Sequence, residues 1–274
     1  MVTSSVTNPK IRLLISDIDG TLLTSTKVLT DRSVRTVEQL REANILFALT
    51  SSRPPRGMTM LVKPLQLTTP LSAFNGGLIT DSSLNIIEET KVRQELVQPI
   101  ITLLQAHGLS IWLYQDLEWF VLDSDGPHVR HEASAIQFEP TTMKSFDSLT
   151  TNIAKIVGVS DDSNAVVAAR EEIERSYGQE VSATSSQTYY LDVTHPEANK
   201  GKVVDYLSAL FEVPVIEIAT IGDMHNDVAM FKRSGLSIAM GNGPREVQLA
   251  AKVRTTTNDD EGFAHAVEHF ILNR

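Results

Sequence analysis

The chain has 274 residues, contains no cysteine and carries a formal net charge of −10 at pH 7. The lack of cysteine excludes disulfides, thiolate nucleophiles and cysteine-ligated metal sites, and the acidic balance argues against nucleic acid or an anionic membrane as a partner. Because no apolar run approaches the roughly 20 residues that span a bilayer, and because the first residues lack the apolar core of a secretory signal, we expect a soluble cytoplasmic protein.

Short apolar runs that end in polar residues recur along the chain and are separated by amphipathic stretches such as TDRSVRTVEQLREA. This pattern predicts an α/β fold, a Rossmann-like parallel sheet with helices on both faces. Ligands bind outside the carboxyl ends of the strands in such a sheet, so we expect the polar ends to meet at one edge. The runs are IRLLISD, ending at Asp17; NILFALTSS, ending at Ser51 and Ser52; LSAFNGG, with Asn75; EIATIGD, ending at Asp223; and LSIAMGN, ending at Asn242.

The middle of the chain has a different pattern. A helix is followed by the hairpin SIWLYQDLEWFVLD, a second helix, the strand IAKIVGVS, a third helix and then the strands EVSATS and TYYLDVT. Strands joined by short polar turns, together with amphipathic helices, predict an α+β layer with an antiparallel sheet. We therefore predict a core domain of residues 1–82 and 187–274, with residues 83–186 inserted as an α+β cap domain. Polar residues near 81–84 and 194–199 are expected to act as hinges.

The segment IGDMHNDVAM adds Asp223 and Asp227 to Asp17 and Asp19 at the predicted edge of the sheet. Carboxylates this close raise each other's pKa unless a cation neutralises them. Oxygen ligands favour a hard cation, and Mg²⁺ is the commonest one that also bridges phosphates. The edge therefore predicts a magnesium site suited to phosphoryl transfer.

Two carboxylates two residues apart could divide nucleophilic attack from proton transfer. Ser51, at the end of a strand, and Lys200, at the start of the helix in ANKGKVVDYL, are natural partners for phosphoryl oxygens. The composition and pattern leave the order of these roles open.

The sequence resembles the haloacid dehalogenase-like phosphohydrolases, specifically the Cof-type branch with a large C2-type cap. The resemblance covers nearly the whole chain: DIDGT matches the first motif, Ser51 the second, NKG with Lys200 the third, and GDMHNDVAM the fourth, while FNGG matches an Asn-Gly pair near the substrate. It implies phosphomonoester hydrolysis through an aspartyl-phosphate, with Asp17 as nucleophile and Asp19 as general acid and base. The implied phosphate and substrate contacts are Ser51, Ser52, Asn75, Gly76, Lys200 and Asn226, and the implied Mg²⁺ ligands are Asp17, the backbone carbonyl of Asp19, Asp223 and Asp227.

At the second motif the branch usually reads Thr-Gly-Arg, whereas this chain has Ser51-Ser52-Arg53. The hydroxyl and the arginine are kept, but the Cβ of Ser52 removes the backbone freedom of glycine. Asp227 is either a direct metal ligand or a group that supports the ligands.

We expect a phosphatase that acts on a small phosphorylated metabolite, with a sugar phosphate as the first choice. A phosphomutase or phosphotransferase acting on sugar phosphates, and a non-catalytic sugar-phosphate sensor, stay open as alternatives, as do the substrate itself and the oligomeric state.

Overall fold

The computed structural model describes residues 10–273, which form two compact units. Unit 1 contains residues 10–49 and 201–273, and unit 2 contains residues 50–200. The strands are β1 (Leu13–Ser16), β2 (Leu46–Thr50), β3 (Leu71–Ala73), β4 (Leu78–Thr80), β5 (Ile86–Glu89), β6 (Ser110–Gln115), β7 (Glu118–Val121), β8 (Thr141–Thr142), β9 (Ile153–Val159), β10 (Ser182–Gln187), β11 (Tyr190–Thr194), β12 (Ile218–Gly222), β13 (Leu236–Ala239) and β14 (Val253–Arg254). The α-helices are α1 (Asp31–Glu42), α2 (Thr59–Leu65), α3 (Gln94–Ala106), α4 (Val129–Ile136), α5 (Ser163–Tyr177), α6 (Lys200–Phe211), α7 (Val228–Phe231), α8 (Arg245–Ala250) and α9 (Gly262–Ala266). Among the described residues, no helix is long and apolar enough to cross a membrane.

Unit 1 is built on a parallel sheet with the strand order β14-β13-β12-β1-β2. All residues of β1 are buried, as expected for a central strand that is covered on both faces and therefore shows no polar alternation. In the register of the sheet, Leu13 lies opposite Ile218 of β12 and Leu46 of β2. The carboxyl ends of β1 and β12 therefore lie side by side.

Helices cover both faces of this sheet. On one face, Leu13 shares a hydrophobic cluster with Ala48 and with Leu207 of α6. Phe47 points to the opposite face from Ala48, and its ring centroid lies 5.8 Å from that of Phe263 in α9. The predicted α/β class, with helices on both faces of a parallel sheet, is confirmed.

Unit 2 contains an antiparallel sheet with the strand order β10-β11-β9-β6-β7-β8, in which only the short β7–β8 pair of the described residues is parallel. Its apolar face packs on α3 and α5, for example through Leu113, Ile156 and Leu191. The predicted α+β layer with an antiparallel sheet is confirmed. The opposite face, which we call the aromatic face, carries Trp112, Tyr114, Trp119, Lys155, Tyr190 and Asp192.

Strands β3, β4 and β5 form antiparallel pairs in unit 2, and the last two of these strands were not predicted. The turn between them is set by Asp81, whose Oδ1 accepts hydrogen bonds from the backbone N–H groups of Ser83 and Asn85 at 2.8 and 2.9 Å. A short polar side chain that bonds the backbone two residues on is a turn signal, and TDSSLN could have been recognised as one. Residues 81–84, predicted as a hinge, form this tight turn.

The predicted end of the inserted segment, at residue 186, falls inside β10. Strand β11 pairs with both β10 and β9, so that Asp192 lies opposite Thr184 on one side and Val157 on the other. A sheet cannot be cut between paired strands without breaking its ladder. We therefore propose that the inserted segment continues through Thr194.

Candidate active site

The first motif follows the carboxyl end of β1 directly. The backbone N–H of Asp17 donates to the carbonyl of Ile221 at 3.0 Å, which continues the ladder with β12 for one more residue. Gly20 then takes a φ of +75°, and a Cβ at this position would lie 2.3 Å from Asp223 Oδ2. Glycine is required here both for the turn and for the close approach of Asp223. The DIDGT loop is thereby shaped around a carboxylate from another strand.

The fourth motif follows the carboxyl end of β12. Asp227, which is fully buried, accepts hydrogen bonds at Oδ2 from the backbone N–H groups of Asp223 and Met224, at 2.8 and 2.9 Å. These bonds close the turn that carries Asp223. Gly222 leaves room for this arrangement, because a Cβ there would lie 2.3 Å from Asp227 Cγ.

The two strand ends bring together the carboxylates of Asp17, Asp223 and Asp227. One oxygen from each lies within 4.8 Å of the others, and all three side chains are buried. Like charges this close, withdrawn from water, repel one another strongly unless a cation lies among them. The donor set is made of oxygen alone, which fits a hard divalent ion such as Mg²⁺ better than a softer metal. We call these three residues the acidic group.

Two polar residues that the sequence reasoning did not select also contact Asp223. Thr21 Oγ1 donates to Asp223 Oδ1 at 3.2 Å, and Asn242 Nδ2 donates to Asp223 Oδ2 at 3.3 Å and to the Gly20 carbonyl at 2.9 Å. Both oxygens of Asp223 are therefore oriented by donors. Thr21 belongs to DIDGT and Asn242 ends an apolar run, so both carried the same sequence signal as the selected residues.

Asp19 is half-buried, and its side chain forms an ion pair with Lys27, with 2.6 Å between Lys27 Nζ and Asp19 Oδ1. Its carboxylate is not part of the acidic group. A carboxylate that stays partly in contact with solvent can exchange protons more readily than one enclosed beside two other anions. The assignment of the Asp19 backbone carbonyl as a metal ligand remains a prediction.

Ser51 and Asn75 lie on adjoining loops of unit 2, where the Asn75 N–H donates to the Ser51 carbonyl at 2.7 Å. Phe74, Asn75 and Gly76 all have positive φ, at +50°, +59° and +96°. A bulky residue such as phenylalanine rarely adopts this conformation, and sparsely populated backbone states concentrate at functional sites. Ser52, next to Ser51, continues the first of these loops.

Lys200 is the first residue of α6 and is fully buried. A buried ammonium is costly unless anions or hydrogen-bond acceptors surround it, so this position favours a functional over a solvent-exposed lysine. Asn226 lies in the short 3₁₀ helix His225–Asp227 and is partly buried. His225 is exposed and lies 3.0 Å from Glu246.

The structure thus brings Asp17, Asp223 and Asp227 together in unit 1, with Asp19 and Asn226 on the loops that carry them. Ser51, Ser52, Asn75, Gly76 and Lys200 belong to unit 2, where a backbone hydrogen bond joins the first loop to the second.

Comparison with known proteins supports one family. The sequence profile of the haloacid dehalogenase-like hydrolases matches residues 14–267. A Haemophilus influenzae protein named as a candidate phosphatase is 30% identical over 258 residues, which cover 94% of this chain and 97% of that protein. A 5-amino-6-(5-phospho-D-ribitylamino)uracil phosphatase of Bacillus subtilis is 24% identical, over 93% of this chain and 96% of its own.

Among solved structures, a haloacid dehalogenase-like hydrolase from Bacteroides thetaiotaomicron superimposes with a TM-score of 0.86 at 27% identity, over 95% of this chain and 100% of the other. The resemblance drawn from the motifs is therefore confirmed, as is the expected enzyme class, a phosphoric monoester hydrolase. The chain belongs to the haloacid dehalogenase-like hydrolases.

Proposed function

We propose that this phosphoric monoester hydrolase removes the phosphate of a small phosphorylated metabolite, a sugar or sugar-alcohol phosphate, in a Mg²⁺-dependent reaction. The observation that carries the proposal is the acidic group, in which oxygens of Asp17, Asp223 and Asp227 lie within 4.8 Å of one another in a buried position. The phosphorylated ribityl chain in the name of the Bacillus relative supports the substrate class.

The acidic group and the Asp19 backbone carbonyl would hold the ion, and bound Mg²⁺ would supply positive charge against the charge of the transferred phosphoryl group. Asp17, at the end of the rigid strand β1, attacks phosphorus in line and forms an aspartyl-phosphate. The hydrogen bond from the Asp17 N–H to the Ile221 carbonyl fixes the backbone that carries this carboxylate.

Asp19 transfers the proton. It protonates the leaving alkoxide in the first step, then takes a proton from the water that hydrolyses the aspartyl-phosphate and frees Asp17. Asp19 is partly exposed beside Lys27 and lies outside the acidic group, so its carboxylate can exchange protons with substrate and water.

Ser51 and Lys200 are assigned to the phosphoryl oxygens. The Ser51 Oγ accepts a hydrogen bond from the Arg53 N–H at 3.1 Å, so its own proton can be donated to an oxygen of the substrate. Ser52, Asn75, Gly76 and Asn226 are proposed as further substrate contacts.

A screen of phosphorylated metabolites tests the function. The purified protein is incubated with Mg²⁺ and a hexose phosphate, a pentitol phosphate, a nucleotide or an aryl phosphate, and released phosphate is measured against the same reactions with chelator and with the Asp17→Asn variant. Release that needs both Mg²⁺ and Asp17, and that is fastest for sugar or polyol phosphates, is the expected result.

The proposal is contradicted if the folded, Mg²⁺-loaded protein releases no phosphate from any monoester. It is equally contradicted if a sugar bisphosphate is converted to an isomer with little free phosphate, which would identify a mutase. Acid quenching of a single turnover with ³²P-labelled substrate adds a second check, since an aspartyl-phosphate route should leave label on the parent protein but none on Asp17→Asn.

A further inference from the structure

The loop after β2 is held by hydrogen bonds to its successive carbonyl groups. The carbonyls of Ser51 and Arg53 accept from the backbone N–H groups of Asn75 and Phe74, at 2.7 and 3.1 Å. The carbonyl between them, that of Ser52, accepts from Lys155 Nζ at 3.2 Å. Lys155 lies on β9, 103 positions away along the chain. A long side chain from the antiparallel sheet therefore holds the middle of this loop.

The register of the sheet places Lys155 among aromatic and acidic neighbours. Lys155 lies opposite Tyr114 of β6, and its Nζ is 5.2 Å from the centre of the Tyr114 ring. Asp192, on the same face, lies with Oδ1 at 3.2 Å from Lys155 Nζ. Burial raises the pKa of the Tyr114 phenol well above its ordinary value, so the phenol stays neutral. Asp192 is the anion that balances the Lys155 charge.

Stability alone does not explain the buried ion pair of Lys155 and Asp192. Lys155 and Asp192 are only 6% and 1% exposed, and a buried ion pair often contributes less to stability than apolar residues of the same volume. In addition, Asp192 Oδ2 is buried and has no hydrogen-bond partner among the described residues. The other face of the same sheet is filled with aliphatic side chains instead. What the pair adds is a fixed ammonium at the Ser52 carbonyl.

The position of that carbonyl decides where the Ser51 hydroxyl lies. Ser52 separates Ser51 from Arg53, whose N–H donates to Ser51 Oγ at 3.1 Å. A rotation of the Ser52 peptide would move this N–H away from the hydroxyl. Arg53 is itself tied to α4, because its Nη1 donates to the Ala135 carbonyl at 3.0 Å. The loop is therefore fixed by Ala135 of α4 on one side, and Lys155 of β9 holds its centre.

We propose that Lys155 is a positioning residue for phosphate binding: held by Asp192, it fixes the Ser52 carbonyl and thereby orients the Ser51 hydroxyl toward a phosphoryl oxygen. The inference rests on the proposed function in assigning Ser51 to that oxygen. It gives the aromatic face the role of setting the geometry of a loop that binds phosphate.

The test compares variants of the full chain in the presence of Mg²⁺, with inorganic phosphate as the ligand. Lys155→Met leaves Asp192 unpaired and can fail to fold, so the decisive protein is Lys155→Met/Asp192→Leu, in which the pair is replaced by apolar side chains. Lys155→Arg keeps a charge and a donor, and serves as the conservative variant. Lys91→Met is the matched control, since Lys91 pairs with Asn152 and Glu89 in the same unit and does not contact the loop.

We expect the dissociation constant of inorganic phosphate, measured by calorimetry, to rise about fivefold or more in the double variant, as for the loss of an orienting hydrogen bond. KM for a phosphomonoester should rise in parallel. Lys155→Arg should restore most of the affinity, and Lys91→Met should match the parent protein.

Amide hydrogen exchange gives a readout that needs no ligand. The Arg53 amide should exchange faster in the double variant than in the parent protein or in Lys91→Met, because its acceptor is no longer held in place. A double variant that is folded and retains both the parent affinity for phosphate and the parent exchange rate at Arg53 overturns the inference.

Failure of the proposed function gives a different result. If the parent protein hydrolyses no phosphomonoester, the function is wrong, whereas the exchange rate at Arg53 still decides whether Lys155 holds the loop. If hydrolysis is present but the double variant is unchanged in affinity and exchange, the function stands and the role of Lys155 is rejected.

Discussion

In unit 1, the buried carboxylates of Asp17, Asp223 and Asp227 lie together, whereas in unit 2 the buried carboxylate of Asp192 lies beside a buried ammonium. The acidic group brings three carboxylates close together, an arrangement that a divalent cation can bind. The Lys155–Asp192 pair balances its charge internally. The difference predicts that the first region depends on a ligand for its stability and that the second is part of the fold itself.

The largest expected effect is that of Asp17→Asn. An amide cannot attack phosphorus, so turnover should fall by about 10⁴-fold or more. Mg²⁺ should raise the Tm of the parent protein more than that of the same variant, because the variant has lost an anionic ligand of the acidic group. Every 1 kcal/mol gained should raise Tm by about 2–4 °C.

Phosphate release and thermal unfolding, each with and without Mg²⁺, measure both effects. Asp205→Asn is the matched control, since Asp205 forms a surface ion pair with Arg233 in the same unit. More than a tenth of the parent activity in folded Asp17→Asn, or an equal rise of Tm with Mg²⁺ in the two proteins, would contradict the difference between the two regions.

Asp192→Leu should destabilise the protein. It leaves the Lys155 ammonium buried without its anion, which costs about 3–5 kcal/mol of stability. Since the pair is balanced internally, this loss should not depend on Mg²⁺. Denaturant unfolding measures this loss of stability. Asp161→Leu is the control: its carboxylate is 83% exposed, so the free energy of unfolding should change by no more than about 1 kcal/mol. An Asp192→Leu protein as stable as the parent would show that the two regions do not differ in this way.

The two regions also differ in how far the sequence predicts them. Asp17 and Asp223 each follow an apolar run, so the rule that strand ends meet at one edge was enough to place them together. A local pattern was sufficient to predict their positions, because each carboxylate directly follows in sequence the strand that positions it. The same rule placed Asn242 at this edge without giving it a role, and Thr21, within DIDGT, was not considered.

The Lys155–Asp192 pair could not be predicted in this way. The two residues are 37 positions apart, and each is a polar residue in an otherwise apolar strand, which is the pattern of a side chain facing solvent. Their meeting depends on the register of β9 against β11, which no local pattern specifies. The end of the inserted segment is a further example, since the pairing of β11 with β9, from which we propose an end at Thr194, is a long-range property.

Asp19→Asn tests a carboxylate of unit 1 that lies outside the acidic group. If it donates a proton to the leaving group, turnover of an alkyl phosphate should fall by about 10²-fold or more, while an aryl phosphate, whose leaving group needs little protonation, should lose far less. Steady-state rates on one substrate of each kind measure the difference. If Asp19 served only its ion pair with Lys27, Lys27→Met should cause equal losses on both substrates, and so should Asp19→Asn.

The smallest effect concerns the affinity for the metal. Asp223→Asn keeps an acceptor for Thr21 but loses an anionic ligand, so the Mg²⁺ concentration for half-maximal activity should rise by about tenfold or more, and activity should vanish with chelator and return with Mg²⁺.

Asp227→Asn distinguishes the two roles left open for Asp227, that of a direct metal ligand and that of a residue that supports the ligands. Its amide oxygen can still accept from the N–H groups of Asp223 and Met224, so the turn is kept. If the Mg²⁺ concentration for half-maximal activity rises as much as in Asp223→Asn, Asp227 is a direct ligand. If it rises less than about threefold, Asp227 orients Asp223 through the turn without binding the ion. Unchanged Mg²⁺ dependence in both variants would contradict a metal site at the acidic group. It would also contradict the inference that a ligand stabilises this region.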